Sequence, residues 1–141
     1  AFQAITTVYA FAAGARLPRP IVALRSTAEY PAHFAFDHGQ LGSADGLIAF
    51  VTSASGTERE TLQAQTLVQA RIELKMALGP VKTITEKHAT FACTAGLMRP
   101  ARQIAPGLFA CGDFVEGPYP ATLEGAVKSG IALPLSQPLA T

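Results

Sequence analysis

The amino-acid sequence predicts an α/β domain, α+β-like in layout: a mixed β-sheet, one long amphipathic helix and a C-terminal strand–turn–helix. Three observations predict it. Short runs of β-branched and aromatic residues alternate with Gly- and Pro-containing breaks through the first third of the chain, which is the pattern of successive strands. Residues 57–78 repeat apolar side chains with a helical period. Near the C-terminus an apolar run, Leu108 to Cys111, is broken by Gly112-Asp113, and a new helical pattern opens at Thr122.

Element by element, Ile5 to Phe11 reads as a strand, Gly14 to Pro20 as a connector, and Ile21 to Leu24 as a second strand. Pro31 interrupts the chain, and His33 to Phe36 is a third strand with apolar residues on both faces. Asp37-His-Gly-Gln40 is a turn, because Asp and Gly favour the local hydrogen bonds and dihedrals a turn requires. Leu47 to Val51 is the clearest strand, and short strands with tight connections point to antiparallel pairing in this part. Thr57-x-x-Glu60 fits a capping box with Thr57 as N-cap of the long helix. Leu62, Val68, Ile72 and Met76 form its broad apolar stripe with Leu67 beside it, while Glu58, Gln65, Gln69 and Glu73 fall mostly opposite. Gly79-Pro80 is expected to stop this helix as a C-cap glycine followed by proline. Val81 to Phe91 returns as a strand. A polar loop follows, Arg99 just ahead of it and Arg102 within. Leu108 to Cys111 is expected as a buried strand, and Thr122 to Leu133 as the final helix, ended by Pro134. Residues 1–105 thus hold the sheet and long helix, 106–133 the strand–turn–helix, and 134–141 a tail.

Composition narrows the function. Of 141 residues, 49% are hydrophobic and only 15% charged, so apolar faces are expected to meet a partner or a second copy. Mean hydropathy is +0.26, in line with that reading. Eleven basic and ten acidic residues leave a net charge of +1, the basic residues do not cluster, and Trp is absent, which argues against a nucleic-acid surface. No apolar run is long enough to span a bilayer, and no secretory leader pattern is visible. Cys93 and Cys111 each sit in an apolar run and read as buried free thiols of a reducing, cytoplasmic compartment.

The strongest functional signal is the strand–turn–helix. Free backbone N–H groups and the positive end of a helix dipole converge where such a loop enters a helix, and this suits an anionic ligand. The words Cys111-Gly-Asp113 and Tyr119-Pro-Ala-Thr-Leu-Glu-Gly-Ala-Val-Lys-Ser-Gly130 resemble the C-terminal flavin-binding motif of the FAD-dependent amine oxidase and carotenoid desaturase superfamily. Ile5-Thr-Thr-Val-Tyr9, Leu17-Pro-Arg-Pro20, Phe36-Asp-His-Gly-Gln40, Thr83-Ile-Thr-Glu-Lys87 and Ala89-Thr-Phe-Ala-Cys-Thr94 are similar to its squalene-associated branch, the hydroxysqualene dehydroxylases.

This resemblance implies FAD as cofactor and an isoprenoid lipid as substrate, with hydroxysqualene-to-squalene chemistry of the kind used in hopanoid biosynthesis. It implies that Gly112 lets the backbone approach the cofactor, that Asp113 bonds a ribityl hydroxyl, and that Ala121, Thr122 and Leu123 direct backbone N–H groups at the flavin ring. Thr90 and Phe91 are placed by it near a substrate cavity. It further implies a cytoplasmic protein with peripheral contact at the inner membrane. Members of the family begin with a Gly-x-Gly-x-x-Gly unit that holds the ADP half of FAD, and no such spacing occurs here. The chain therefore reads as the C-terminal part of such an enzyme, partnered by an N-terminal FAD-binding part and binding FAD weakly or not at all by itself. A carotenoid- or phytoene-type desaturase, an amine oxidase, and an isolated non-catalytic domain without cofactor are the alternatives.

Other candidates are weaker. His33, Asp37 and His38 are metal-ligand types, but the two histidines point to opposite faces of a strand and no fourth ligand stands out, so no metal is predicted. Ser53-Ala-Ser-Gly56 lacks the Gly-x-Ser-x-Gly frame of a nucleophile turn. Glu86, Lys87 and His88 read as a solvated strand edge. No side chain is an evident proton donor, and none is assigned as catalytic.

Overall fold

The computed structural model describes residues 1–133. The expected stop at Pro134 and the tail from Leu135 lie outside the described residues. The chain divides into two compact units, one running from Phe2 to Thr90 and the other combining Ala1 with the chain from Phe91.

The first unit holds β1 (Phe2–Phe11), β2 (Ile21–Ala23), β3 (Phe34–Asp37), β4 (Leu47–Ser53), helix α1 (Arg59–Glu73) and β5 (Gly79–Phe91). The strands form one sheet in the order β2-β3-β4-β1-β5. The β1–β4, β3–β4 and β2–β3 pairs are antiparallel. β5 runs against β1, since Gly79 lies by the Phe11 carbonyl while Thr85 meets Thr6 further along. The expected mixed sheet is thereby corrected to an antiparallel one. The reason is topological: α1 carries the chain across the sheet so that β5 enters in the direction of β4, but β1 lies between them. The two co-directional strands never pair.

The core lies between α1 and one face of this sheet. Register sets Val8 against Phe50 and Ala10 against Ile48, and on the next strand Ala35 against Phe50. These side chains are buried together with Leu17, Ala32, Leu62 and Ala70. Alanines at the contact let the helix approach closely, and Phe50 and Ile48 fill the space between them. Full burial of each large side chain contributes about 1.5–3 kcal/mol.

α1 differs from the sequence expectation at both ends and in its buried face. Its N-cap is Glu58 with no side-chain cap bond, so the capping box at Thr57 does not form. Glu58 instead receives the Thr61 hydroxyl at 3.3 Å. The helix ends at Glu73, and Lys75 takes the left-handed conformation (φ 57°) that glycine was expected to supply at Gly79. Gly79 opens β5 instead. The buried face is Leu62, Thr66, Gln69 and Ala70, whereas Val68 and Ile72 are 50% and 44% exposed. Gln69 explains the rotation. Its Oε1 accepts the Ala32 N–H at 2.8 Å and its Nε2 donates to the Ala32 carbonyl at 3.1 Å and to Glu73 Oε1 at 3.0 Å. A loop backbone with no strand partner is satisfied by a side-chain amide, which draws a polar position into the core.

The second unit holds a two-stranded antiparallel ribbon, β6 (Gln103–Ala105) and β7 (Leu108–Phe109), and helix α2 (Leu123–Ile131). The expected buried strand Leu108–Cys111 is corrected: the strand is two residues long, pairs among the described residues with β6 alone, and leaves Leu108 56% exposed. With no parallel neighbour over it, an apolar run remains at the surface. Cys93 and Cys111 are free, as expected, but exposed rather than buried. Thr122 caps α2 as the sequence indicates, its Oγ1 accepting the Gly125 N–H at 3.0 Å and donating to the Tyr119 carbonyl at 2.7 Å.

Candidate functional site

The Gly112–Thr122 loop is held by bonds from both ends of its unit. The Gly112 N–H donates to Ser129 Oγ at 2.7 Å, and that hydroxyl donates to the Ala126 carbonyl at 2.7 Å. The Arg99 guanidinium donates to the Val115 carbonyl at 2.7 Å and to the Gly117 carbonyl. Glu116 N–H reaches the Pro100 carbonyl at 2.9 Å, and Ala121 N–H reaches the Asp113 carbonyl at 3.4 Å. Two residues flanking Pro120, Tyr119 (φ 56°) and Ala121 (φ 57°), sit in the left-handed region, where a non-glycine residue carries strain. Gly112 has a φ of 152° and faces the Phe114 ring so closely that an added Cβ would come within 2.5 Å of it. Gly125 lies against the Tyr119 carbonyl, where a Cβ would also collide.

These contacts enclose a cleft of about 210 Å³ whose lining includes Arg102, Gly112, Asp113, Glu116, Lys128 and Ser129. Asp113 is half-buried, and its carboxylate has no hydrogen-bond or ion-pair partner among the described residues. Arg102 donates from Nη1 to the Ala132 carbonyl at 3.1 Å, while its buried Nε has no partner there. Lys128 pairs with Glu124 at 2.6 Å and lies 4.4 Å from the Tyr119 ring centroid. Both partners of that pair are half-exposed, so it adds little stability.

Of the residues expected to hold a cofactor, Gly112 and Asp113 come together at the cleft. Ala121, Thr122 and Leu123 do not line it. Ala121 spends its N–H on the loop, Thr122 its hydroxyl on the cap, and the Leu123 side chain is 89% exposed. Phe91 is half-buried and outside the cleft lining, and Thr90, also half-buried, belongs to the other unit. Sequence reasoning assigned no role to Ser129 or Arg99. Ser129 stands within the motif, yet its contact with Gly112 spans 17 positions and leaves no local trace.

The weaker candidates of the first unit have internal duties. Asp37 is buried and receives the Leu17 N–H at 2.9 Å, the Gln40 N–H at 3.0 Å and the Gln40 side-chain amide at 2.7 Å. Burial pushes its carboxyl up, but the Gln40 and Leu17 bonds and the Arg16 charge outweigh this and hold it below the ordinary value of 3.8. His33 Nδ1 accepts the Ser53 N–H at 3.3 Å, and His38 packs by Tyr9. Ser55 Oγ lies 2.7 Å from the Thr6 hydroxyl. Among the described residues no three His, Cys, Asp or Glu side chains gather as metal ligands. Among the described residues no helix is long and apolar enough to cross a membrane.

No family model, no curated protein and no solved structure matches this chain.

Proposed function

We propose that the chain is the C-terminal portion of a flavin-dependent oxidoreductase acting on an isoprenoid lipid, with hydroxysqualene-type reduction as the favoured reaction. The observation that carries the reading is Asp113, a half-buried carboxylate of the cleft with no partner among the described residues, beside a glycine packed against the Phe114 ring. A carboxylate is an acceptor only, so it suits the hydroxyls of a ribityl chain and repels a diphosphate. The cleft of about 210 Å³ is below the 300–1,000 Å³ of ordinary ligand pockets, so the residues present fit the ribityl segment and not a whole dinucleotide. The remainder of the site is the contribution of an N-terminal partner region. Bound flavin supplies hydride transfer. In this reading Asp113 holds the ribityl hydroxyls, and the positive end of α2 favours negative charge in front of it by about 0.3–1 kcal/mol.

A second reading, a non-catalytic domain without cofactor, is favoured by the Gly112 and Ala121 N–H groups, which the fold already satisfies with Ser129 and Asp113. One comparison separates them. The complete gene product is purified as parent and as Asp113→Ala, and flavin per protein is measured beside the melting temperature. The proposal expects a flavin-loaded parent and a depleted variant that melts like the flavin-stripped parent, since a hydrogen bond to a charged group contributes about 1.5–3 kcal/mol. A colourless parent, or a variant with full flavin, rejects it.

A further inference from the structure

The longest strand of the sheet, the thirteen-residue β5, is also its edge: it pairs with β1 on one side and with no strand among the described residues on the other. Backbone bonds show which groups face outward. Ala12 N–H to the Gly46 carbonyl and Ser55 N–H to the Ala4 carbonyl direct the even-numbered backbone groups of β1 at β4, and hence the odd-numbered ones at β5. Thr6 and Thr85 share a face through their hydroxyls, 2.9 Å apart, so up to Glu86 the even-numbered β5 residues face β1, while further along the His88 N–H bonds the Glu86 carboxylate at 3.1 Å. Val81, Thr83 and Thr85 therefore present N–H and C=O groups along the open edge. Such an edge is a template for another strand.

We propose that this edge pairs with β5 of a second copy, antiparallel about a two-fold axis at Ile84. The sequence around that point is self-complementary. Ile84 meets Ile84 of the second copy, Thr83 meets Thr85, and Lys82 meets Glu86, each of the last two pairs occurring twice by symmetry. Lys82 and Glu86 are exposed, and Ile84 is an apolar side chain 43% exposed on the same face. Thr83 and Thr85 lie on the opposite face, where the Thr83 hydroxyl donates to Gln63 of α1 and Thr85 contacts Thr6. Neither tie occupies the open edge. Opposite charges directly across an antiparallel pair are favourable and like charges unfavourable, so charge complementarity selects this register over a slipped one. Slipping by two residues removes both ion pairs and the isoleucine contact. The occupant is thus another copy of this chain, independent of any flavin chemistry.

Charge exchange tests it. Sedimentation velocity over a dilution series is run on the chain, on Lys82→Glu, on Glu86→Lys, and on the double exchange. The expected result is a concentration-dependent dimer whose dissociation constant rises about tenfold in each single variant and returns in the double one. Both side chains are exposed, and circular dichroism checks that each variant keeps the parent fold. A parent that stays monomeric at high micromolar concentration overturns the proposal. So does a dimer insensitive to the single exchanges, which would place the contact elsewhere, or a double variant that fails to recover.

Discussion

Replacing Gln69 by Ala is expected to destabilise the Phe2–Thr90 unit more than any apolar truncation on the exposed side of α1. Gln69 and Ala32 are both fully buried, and the amide makes two bonds to the Ala32 backbone. Without it, an N–H and a C=O remain buried with no partner, and each such group costs about 1–3 kcal/mol. Partial relaxation of the loop toward water offsets part of this, so about 3–4 kcal/mol is expected for the pair. Typical domains are stable by only 5–15 kcal/mol, and 1 kcal/mol shifts melting by roughly 4–8 °C at this size, so the loss exceeds about 10 °C. Gln69→Leu keeps the volume but leaves the same groups unpaired, and it should be nearly as damaging. Val68→Ala, one position away and half-exposed, should change stability by under about 1 kcal/mol. The assay is urea unfolding by circular dichroism on all three variants. If Gln69→Leu matches the parent, or if Val68→Ala costs as much as Gln69→Ala, the helix face assigned to the core is wrong.

Three further outcomes are expected. The Asp37 carboxyl titrates below 3.8 in the folded chain, so its charged form stabilises the fold in full above that value and the contribution is lost as pH falls through it toward the lower folded value. Asp37→Asn should therefore lower the urea midpoint at neutral pH and flatten its decline between about pH 5 and pH 3, and a parallel decline in both proteins would refute this. Gly125→Ala places a Cβ against the Tyr119 carbonyl and should loosen α2, seen as faster amide exchange from Ala126 to Ile131, whereas unchanged protection would contradict the packing. FAD titrated into the chain alone should leave flavin fluorescence almost unquenched at micromolar concentration, because contacts to the adenosine half are missing and about 1.4 kcal/mol already means tenfold in affinity; stoichiometric quenching would show a self-sufficient site.

Much of this molecule is determined by neighbours along the chain, and that part is legible in the sequence. β1 and β4 form where β-branched and aromatic residues are densest, the chain turns at Asp37-His-Gly-Gln40, and Thr122 caps α2 because its hydroxyl needs to reach only three residues onward. Gly112 and Asp113 stand next to each other in the sequence and line one cleft, so their proximity needs no tertiary contact. What only the tertiary structure decides depends on partners far away in the chain. Helical periodicity marks Val68 and Ile72 as core, but the Ala32 backbone, 37 positions from Gln69, turns a polar face inward. Apolar content marks Leu108 to Cys111 as buried, but burial needs a covering layer, and among the described residues β6 alone pairs with this run. Strand direction likewise follows from β1 standing between β4 and β5. Local propensity acts through a few dihedrals and one or two hydrogen bonds, whereas the choice of buried face and strand neighbour is made by satisfying backbone groups that the sequence order keeps apart.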